Sequence, residues 1–288
     1  MPDLAALAAA IEGNVITPGS PGYEAVRKPA MVRFENIRPA AIVLAATQAD
    51  VAEAIAFARH FGLEIATRSG GHSVAGRSST KGLLIDVTPM HSVSVAGGVA
   101  TVGAGNRLGA LYDALEEHGV TIPAGCGSSV GIAGLTLGGG IGMLGRKYGL
   151  TSDRLLGAEV VLADGRIVRC DEDAEEELFW ALRGAGGGNF GVVTSLVFRT
   201  VPAPPTTVFH LAWHAELLDD LVLRRPSPPA HDPTERPDRH YGGRPAVQAA
   251  ASWVRASRAV VKIVVKTSTR RIAAAAFTAI LTTRSIRS

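Results

Sequence analysis

Three stretches of this 288-residue chain combine glycine runs with side chains able to do chemistry: "RSGGHSVAG" at residues 68–76, "SSVGIAGLTLGGGIG" at 128–142 and "RGAGGGNFGVV" at 183–193. Glycine admits positive φ and lets the backbone approach a ligand closely, so such loops can direct several N–H groups at a phosphate or pyrophosphate. His72 stands inside the first loop. A neutral imidazole near physiological pH is a competent nucleophile. Three such loops in one chain point to a large, phosphate-containing cofactor, although any one of them reads equally well as a tight turn.

The common nucleotide motifs fit poorly. No G-x-x-x-x-G-K-[ST] occurs, which disfavours a P-loop nucleotidase. A G-x-G-x-x-G phrase can be read at Gly186, Gly188 and Gly191, but it follows the predicted helix "AEEELFWALRG" rather than a strand, so a Rossmann dehydrogenase is a weak alternative.

The elements that must position these loops read as short α/β units. "AAIVLAA" (40–46) is an apolar run suited to a buried strand, and "QADVAEAIAFARHFGL" (48–63) is helical, with Gly62 near its end. "EIATRSGG" begins as a strand and breaks into the first glycine loop. "GLLIDVTPM" (82–90) predicts a further strand, and residues 91–105 and 157–170 predict hairpins around "AGG" and "ADG". "RLGALYDALEEHG" (107–119) predicts a helix ending at Gly119. The first third is thus strand-helix-strand and the middle leans towards antiparallel sheet with helices, an α+β pattern.

With 47% hydrophobic and 19% charged residues the chain is expected to be a soluble globular protein with a substantial core. Two cysteines, Cys126 and Cys170, are too few for a disulfide framework, and the N-terminus lacks a signal-peptide pattern, so a cytoplasmic protein is expected. No stretch approaches the roughly 20 apolar residues of a membrane span. The net charge of +3 hides an asymmetry: residues 1–223 carry 16 Lys+Arg against 23 Asp+Glu, and residues 224–288 carry 13 against 3. That basic tail has no recognisable nucleic-acid-binding motif, and no nucleic-acid partner is expected. Residues 224–245, rich in Arg, Pro and His, read as linker or disorder, and residues 246–288 fit no architecture. His210 and His214, at i, i+4 spacing, lack a third ligand, so no metal site is expected.

Taken together, "RPAAIVLAATQADVAEAIAFAR", "RSGGHSVAG", "GLLIDVTPM", "VGIAGLTLGGGIGMLGRKYGLTSDRLLGAEVVLADGRIV" and "LFWALRGAGGGNFGVV" resemble the FAD-linked oxidases of the vanillyl-alcohol oxidase superfamily, in the berberine-bridge-enzyme-like group. The resemblance runs from about residue 10 to about residue 205. It implies an α+β, PCMH-type FAD-binding domain over residues 1–205, made of two α/β subdomains (about 1–90 and 91–205). Residues 206–223 would then begin a substrate domain, and 224–288 would be an atypical tail. The composition from Arg224 onward departs from the family pattern, as a truncated or frame-shifted coding sequence would make it do.

The resemblance also implies roles. In this family the histidine of the G-G-H-S phrase bonds through its imidazole to the 8α-methyl carbon of the flavin, and His72 occupies that place. Arg68, Ser69, Gly70, Gly71 and Ser73 match the pyrophosphate loop. Val130, Gly131, Gly134 and Leu135, with Gly138, Gly139, Gly140 and Gly142, match a second FAD-contacting segment. Asp153, Gly191 and Val192 match further contacts, with Leu135 and Val192 equally suited to a core. Some members attach the flavin a second time through a cysteine, but here that register lands on Gly127, one place from Cys126, so single attachment through His72 is expected. The implied activity is hydride transfer from an alcohol, sugar or natural product to FAD, with oxygen as the final acceptor. The alternative is a flavin-binding remnant without turnover. No catalytic base, substrate or oligomeric state can be named from the sequence.

Overall fold

The apolar runs at 40–46 and 82–90 become the centre of a first sheet. In chain order come α1 (Leu4–Ala10), β1 (Asn14–Ile16), α2 (Tyr23–Arg27), β2 (Ala41–Leu44), α3 (Gln48–Phe61), β3 (Ile65–Arg68) and β4 (Leu83–Asp86). The computed structural model describes residues 2–204 and, beyond them, the strand backbones at 208–213, 260–266 and 280–284. The strand order is β1-β2-β4-β3, with β2 and β3 parallel to β4 and β1 antiparallel at the edge. All four residues of β4 are buried. A strand covered on both faces reads as a continuous apolar run rather than an alternation.

Helix α3 starts and stops where its end residues dictate. Thr47 and Asp50 form a reciprocal capping box, and Gly62 closes the helix in the left-handed region at φ 64°. Asp50 is buried and also accepts the N–H groups of Glu12 (2.9 Å), Gly13 (2.9 Å) and Ala46 (2.8 Å), so it holds the N-terminal segment against the helix. Burial alone would push its carboxyl up, but these N–H groups and the Thr47 hydroxyl outweigh that and hold it below the usual carboxylate range. A depressed pKa contributes stability that is present above the unfolded-state value and is lost as pH falls through the folded-state value. Asp50→Ala is therefore expected to cost roughly 2–4 kcal/mol at neutral pH, since it strands several buried donors. The deficit against wild type should narrow in acid, read by urea unfolding followed by circular dichroism. An equal deficit at both pH values would exclude the ionised carboxylate as its source.

The second sheet follows. Its chain order is β5 (Val93–Ala96), β6 (Val99–Gly103), α4 (Leu108–Glu116), β7 (Val120–Thr121), α5 (Ile132–Leu137), α6 (Gly145–Tyr148), β8 (Leu155–Val161), β9 (Ile167–Asp171), α7 (Glu176–Leu182), β10 (Val192–Arg199) and β11 (Val201–Pro202). Five strands pair antiparallel in the order β5-β6-β10-β8-β9. Gly97 and Gly98, at φ 57° and 79°, make the two-residue turn between β5 and β6, a geometry that side chains disfavour. Leu108, Leu111 and Leu115 bury one face of α4. A single apolar cluster joins the sheets, running from Val43 and Ile85 in the first to Val102 and Leu196 in the second.

The fold is the expected α+β arrangement, and the antiparallel second sheet is incompatible with a Rossmann enzyme. The Gly186–Gly191 phrase runs from helix α7 into strand β10, the reverse of the dinucleotide-binding order. The chain divides into two units, Met1–Ala203 and Pro204–Ser288. In the second, β12 (Val208–Trp213), β13 (Val260–Lys266) and β14 (Ile280–Arg284) form an antiparallel sheet in that order. His210 lies in strand β12, not on a helix, while His214 and the stretch 224–245 fall outside the described residues. No helix among the described residues is long and apolar enough to cross a membrane.

Candidate cofactor site

The first two glycine segments, far apart in sequence, meet at one place, and the third packs against their neighbours. Gly70 and Gly131 pack backbone to backbone: a Cβ on Gly70 would lie 2.2 Å from the Gly131 nitrogen, and a Cβ on Gly131 would lie 2.2 Å from Ser69 Oγ. Ser69 Oγ donates to the Ala104 carbonyl at 2.7 Å, and His72 Nε2 lies 3.0 Å from Ser129 Oγ, so side chains lock the first loop to the second. The third loop closes on both. Gly186 N–H donates to the Leu137 carbonyl at 2.7 Å, and Arg77 donates to Asn189 Oδ1 at 3.1 Å.

Beside this junction lies a cavity of about 520 Å³ lined by Gly70, Gly71 and His72 of the first loop, Ser129 of the second, Asp86 at the end of β4, and Arg107 just before α4. Lys28, Pro29 and Ala30 line another part of it, tied to the first loop by the Ala30 N–H on the Gly71 carbonyl at 3.1 Å. Gly71 takes φ 72° with Pro29 and Ala30 close by, so both the turn and the close approach favour glycine there. Lys28 and Arg107 are exposed cations at the cavity, suited to a phosphate-bearing ligand.

Arg68 shapes the cavity rather than offering it a free charge. Its buried guanidinium donates to the carbonyls of Val26 (2.7 Å), Arg27 (3.0 Å) and Ser78 (3.0 Å), which belong to two separate segments. Burial pulls its pKa down, opposed by the carboxylate of Asp86, its direct partner in the parallel β3–β4 register. Burial likewise pushes the Asp86 carboxyl up, to about 6, against the Thr88 N–H and the positive charges of Arg68 and Arg107.

The structure distributes the other sequence-predicted residues unevenly. Ser73 Oγ accepts the Arg77 N–H and stiffens the loop. Val130 is half-buried beside Gly131 and packs against the core. Gly134 is exposed and faces open space, while Leu135 packs over Gly125 and Gly140. Gly138, Gly139, Gly140 and Gly142 thread past Thr151 and Ala124, and a Cβ on Gly142 would lie 1.8 Å from the Ala124 carbonyl oxygen. Gly191 abuts Val161 at φ 143°, and Val192 is buried in the core. Asp153 is exposed, caps the Leu150 N–H at 2.7 Å, and lines a separate open cleft with Trp180 and Arg183. Cys126 is exposed next to Gly125, whose carbonyl accepts the Tyr112 hydroxyl at 2.7 Å; Cys170 is buried, and burial pushes its thiol up to about 11.

Sequence reasoning passed over Lys28, Asp86, Arg107 and Ser129. The one available signal was Asp86, a charged residue closing an apolar run.

The chain is similar to known proteins in sequence and in fold. Residues 39–171 match a family model described as an FAD binding domain. (R)-6-hydroxynicotine oxidase of Paenarthrobacter nicotinovorans is 38% identical over 197 residues, covering 67% of this chain and 43% of that protein. The chain carries an FAD binding domain, and its relatives are berberine-bridge-enzyme-like FAD-linked oxidases. A BBE-like protein of Physcomitrella patens superposes with a TM-score of 0.71 at 36% identity, over 76% of this chain and 49% of the other. Glucooligosaccharide oxidase of Acremonium strictum, which carries 6-S-cysteinyl, 8α-N1-histidyl FAD, superposes with a TM-score of 0.68 at 33% identity, over 77% of this chain and 48% of the other. The chain spans less than half the length of the curated relatives it matches.

Proposed function

We propose that residues 2–203 hold FAD in the cavity beside His72, attached through the His72 imidazole, as the cofactor-binding unit of an oxidase acting on an alcohol, sugar or natural product. One observation carries the reading: the first two glycine loops meet, glycine against glycine, beside the cavity that His72 lines. The residues fit the cofactor. Gly70 and Gly71 leave room for backbone N–H contact with a diphosphate, and Lys28 and Arg107 supply positive charge beside them. When bound, FAD supplies the redox chemistry, taking up a hydride from substrate and passing reducing equivalents to oxygen.

The chain's own residues bind and orient. Ser129 Oγ, 3.0 Å from His72 Nε2, sets the direction of the imidazole, and whichever ring nitrogen is unprotonated acts as the nucleophile. Arg68 holds the Val26–Arg27 and Ser78 segments around the cavity. Cys126, one place from the family register for a second link, stays unattached in this reading.

Purified protein is expected to be yellow, and anaerobic addition of the right substrate to bleach it, with air restoring the colour. The hydroxynicotine and oligosaccharide classes named for its relatives are the first to screen. A second reading, flavin binding without turnover, predicts yellow protein that no substrate of these classes bleaches. Colourless protein after supply of FAD excludes both.

A further inference from the structure

Asp86 is the one acidic side chain lining the cavity among the described residues, and it is 4% exposed. Its recorded hydrogen bonds, from the Thr88 N–H at 2.9 Å and the Thr88 hydroxyl, both fall on Oδ1. No buried side-chain polar atom among the described residues lacks a partner. Oδ2, which has none, therefore keeps accessible surface, and the space that Asp86 lines is the cavity. A carboxylate oxygen thus faces the space assigned above to an anionic cofactor.

The charged groups around it come from every side. Arg68 faces it from β3, Arg107 from the start of α4, Lys28 from the segment after α2, and His72 from the first glycine loop. Arg68 is already committed to three carbonyls, and Arg107 and Lys28 are exposed, so none of them makes a contact ion pair with Oδ2. An entering diphosphate would add two negative charges to the same cavity.

We propose that Asp86 takes up a proton from solvent when FAD enters this cavity and holds it on Oδ2, so that it meets the cofactor as a neutral hydrogen-bond donor instead of a like charge. The step breaks no bond within the cofactor: one proton moves from water or buffer to Oδ2, and the bound complex carries one more proton than its parts. A free-state value near 6 leaves the group mostly ionised at neutral pH and able to accept that proton. The inference rests on the reading of the cavity as the FAD site.

The test uses the His72→Ala chain, in which attachment is blocked and binding is reversible, and which removes the imidazole from the cavity. FAD is titrated into it calorimetrically in phosphate and in Tris at about pH 7 and about pH 8, where the cofactor itself does not titrate. The expected result is uptake of about one proton per FAD, with affinity falling up to about tenfold per pH unit. Asp86→Asn in the same background keeps the Oδ1 acceptor for Thr88 and should bind FAD with neither proton uptake nor that slope. FAD binding without proton uptake, or an unchanged slope in the asparagine variant, overturns the proposal and leaves the FAD site standing. Absence of FAD binding at both pH values overturns the FAD site and the proposal together. If the asparagine variant does not fold, the buffer comparison on the His72→Ala chain decides alone.

Discussion

His72→Ala is expected to reduce to background the flavin fluorescence that follows this protein into an acid pellet. Among the residues lining the cavity, His72 is the one imidazole, and it lies in the first glycine loop itself. The effect on the fold should be small. His72 is half-buried and its one recorded hydrogen bond goes to the exposed Ser129 hydroxyl, so the loss is worth about 1 kcal/mol or less. Far-UV circular dichroism and the melting temperature should therefore stay near wild type while acid-stable flavin disappears. Flavin persisting in the pellet of this variant would move the attachment elsewhere, and Cys126→Ser would then be the variant to compare.

The second large effect separates two glycines three residues apart. Gly131 sits at φ −78°, an ordinary backbone angle, so its need for glycine comes from space alone. Any Cβ there meets Ser69 Oγ at 2.2 Å and the Gly70 nitrogen at 2.3 Å, and the latter is backbone that cannot swing aside. Gly131→Val is expected to push the first two loops apart, destabilise the protein by about 3 kcal/mol or more, and abolish flavin retention. Gly134 has nothing within 4 Å of its Cβ position and lies inside helix α5. Gly134→Ala should leave stability unchanged or raise it by roughly 0.5–1 kcal/mol. Thermal melts of the two variants beside wild type decide the matter; a Gly131→Val protein that melts with wild type would mean the loops are not in contact.

Local signals carried much of the fold. The β2 and β4 runs, Gly62 as a stop and the glycine turn at 97–98 each act within a few residues, and a sequence displays such effects directly. The site was legible as an inventory of loops but not as an arrangement. That Gly131 is glycine because Gly70 lies against it is a tertiary fact. That Arg68 faces Asp86 follows only from the β3–β4 register, and that the Arg68 guanidinium is consumed by carbonyls at 26, 27 and 78 follows only from packing. A resemblance assigned by position likewise does not distinguish a glycine beside the cavity from Gly142, which threads past Ala124. Nor does it place Asp153, whose nearest partner is its own turn.

The junction of the three loops has a consequence for the order in which it is completed. The His72–Ser129 contact spans 57 residues of chain and the Arg77–Asn189 contact spans 112. Contacts of such separation form late, after loop closure across most of the unit has been achieved. The strands of the first sheet are all made once Asp86 has been added, yet His72 meets Ser129 and Arg77 meets Asn189 only after much more of the chain exists. The loop that carries His72 is therefore completed by partners made long after it, and a chain that ends before Asn189 lacks the contact that ties the first loop to the third.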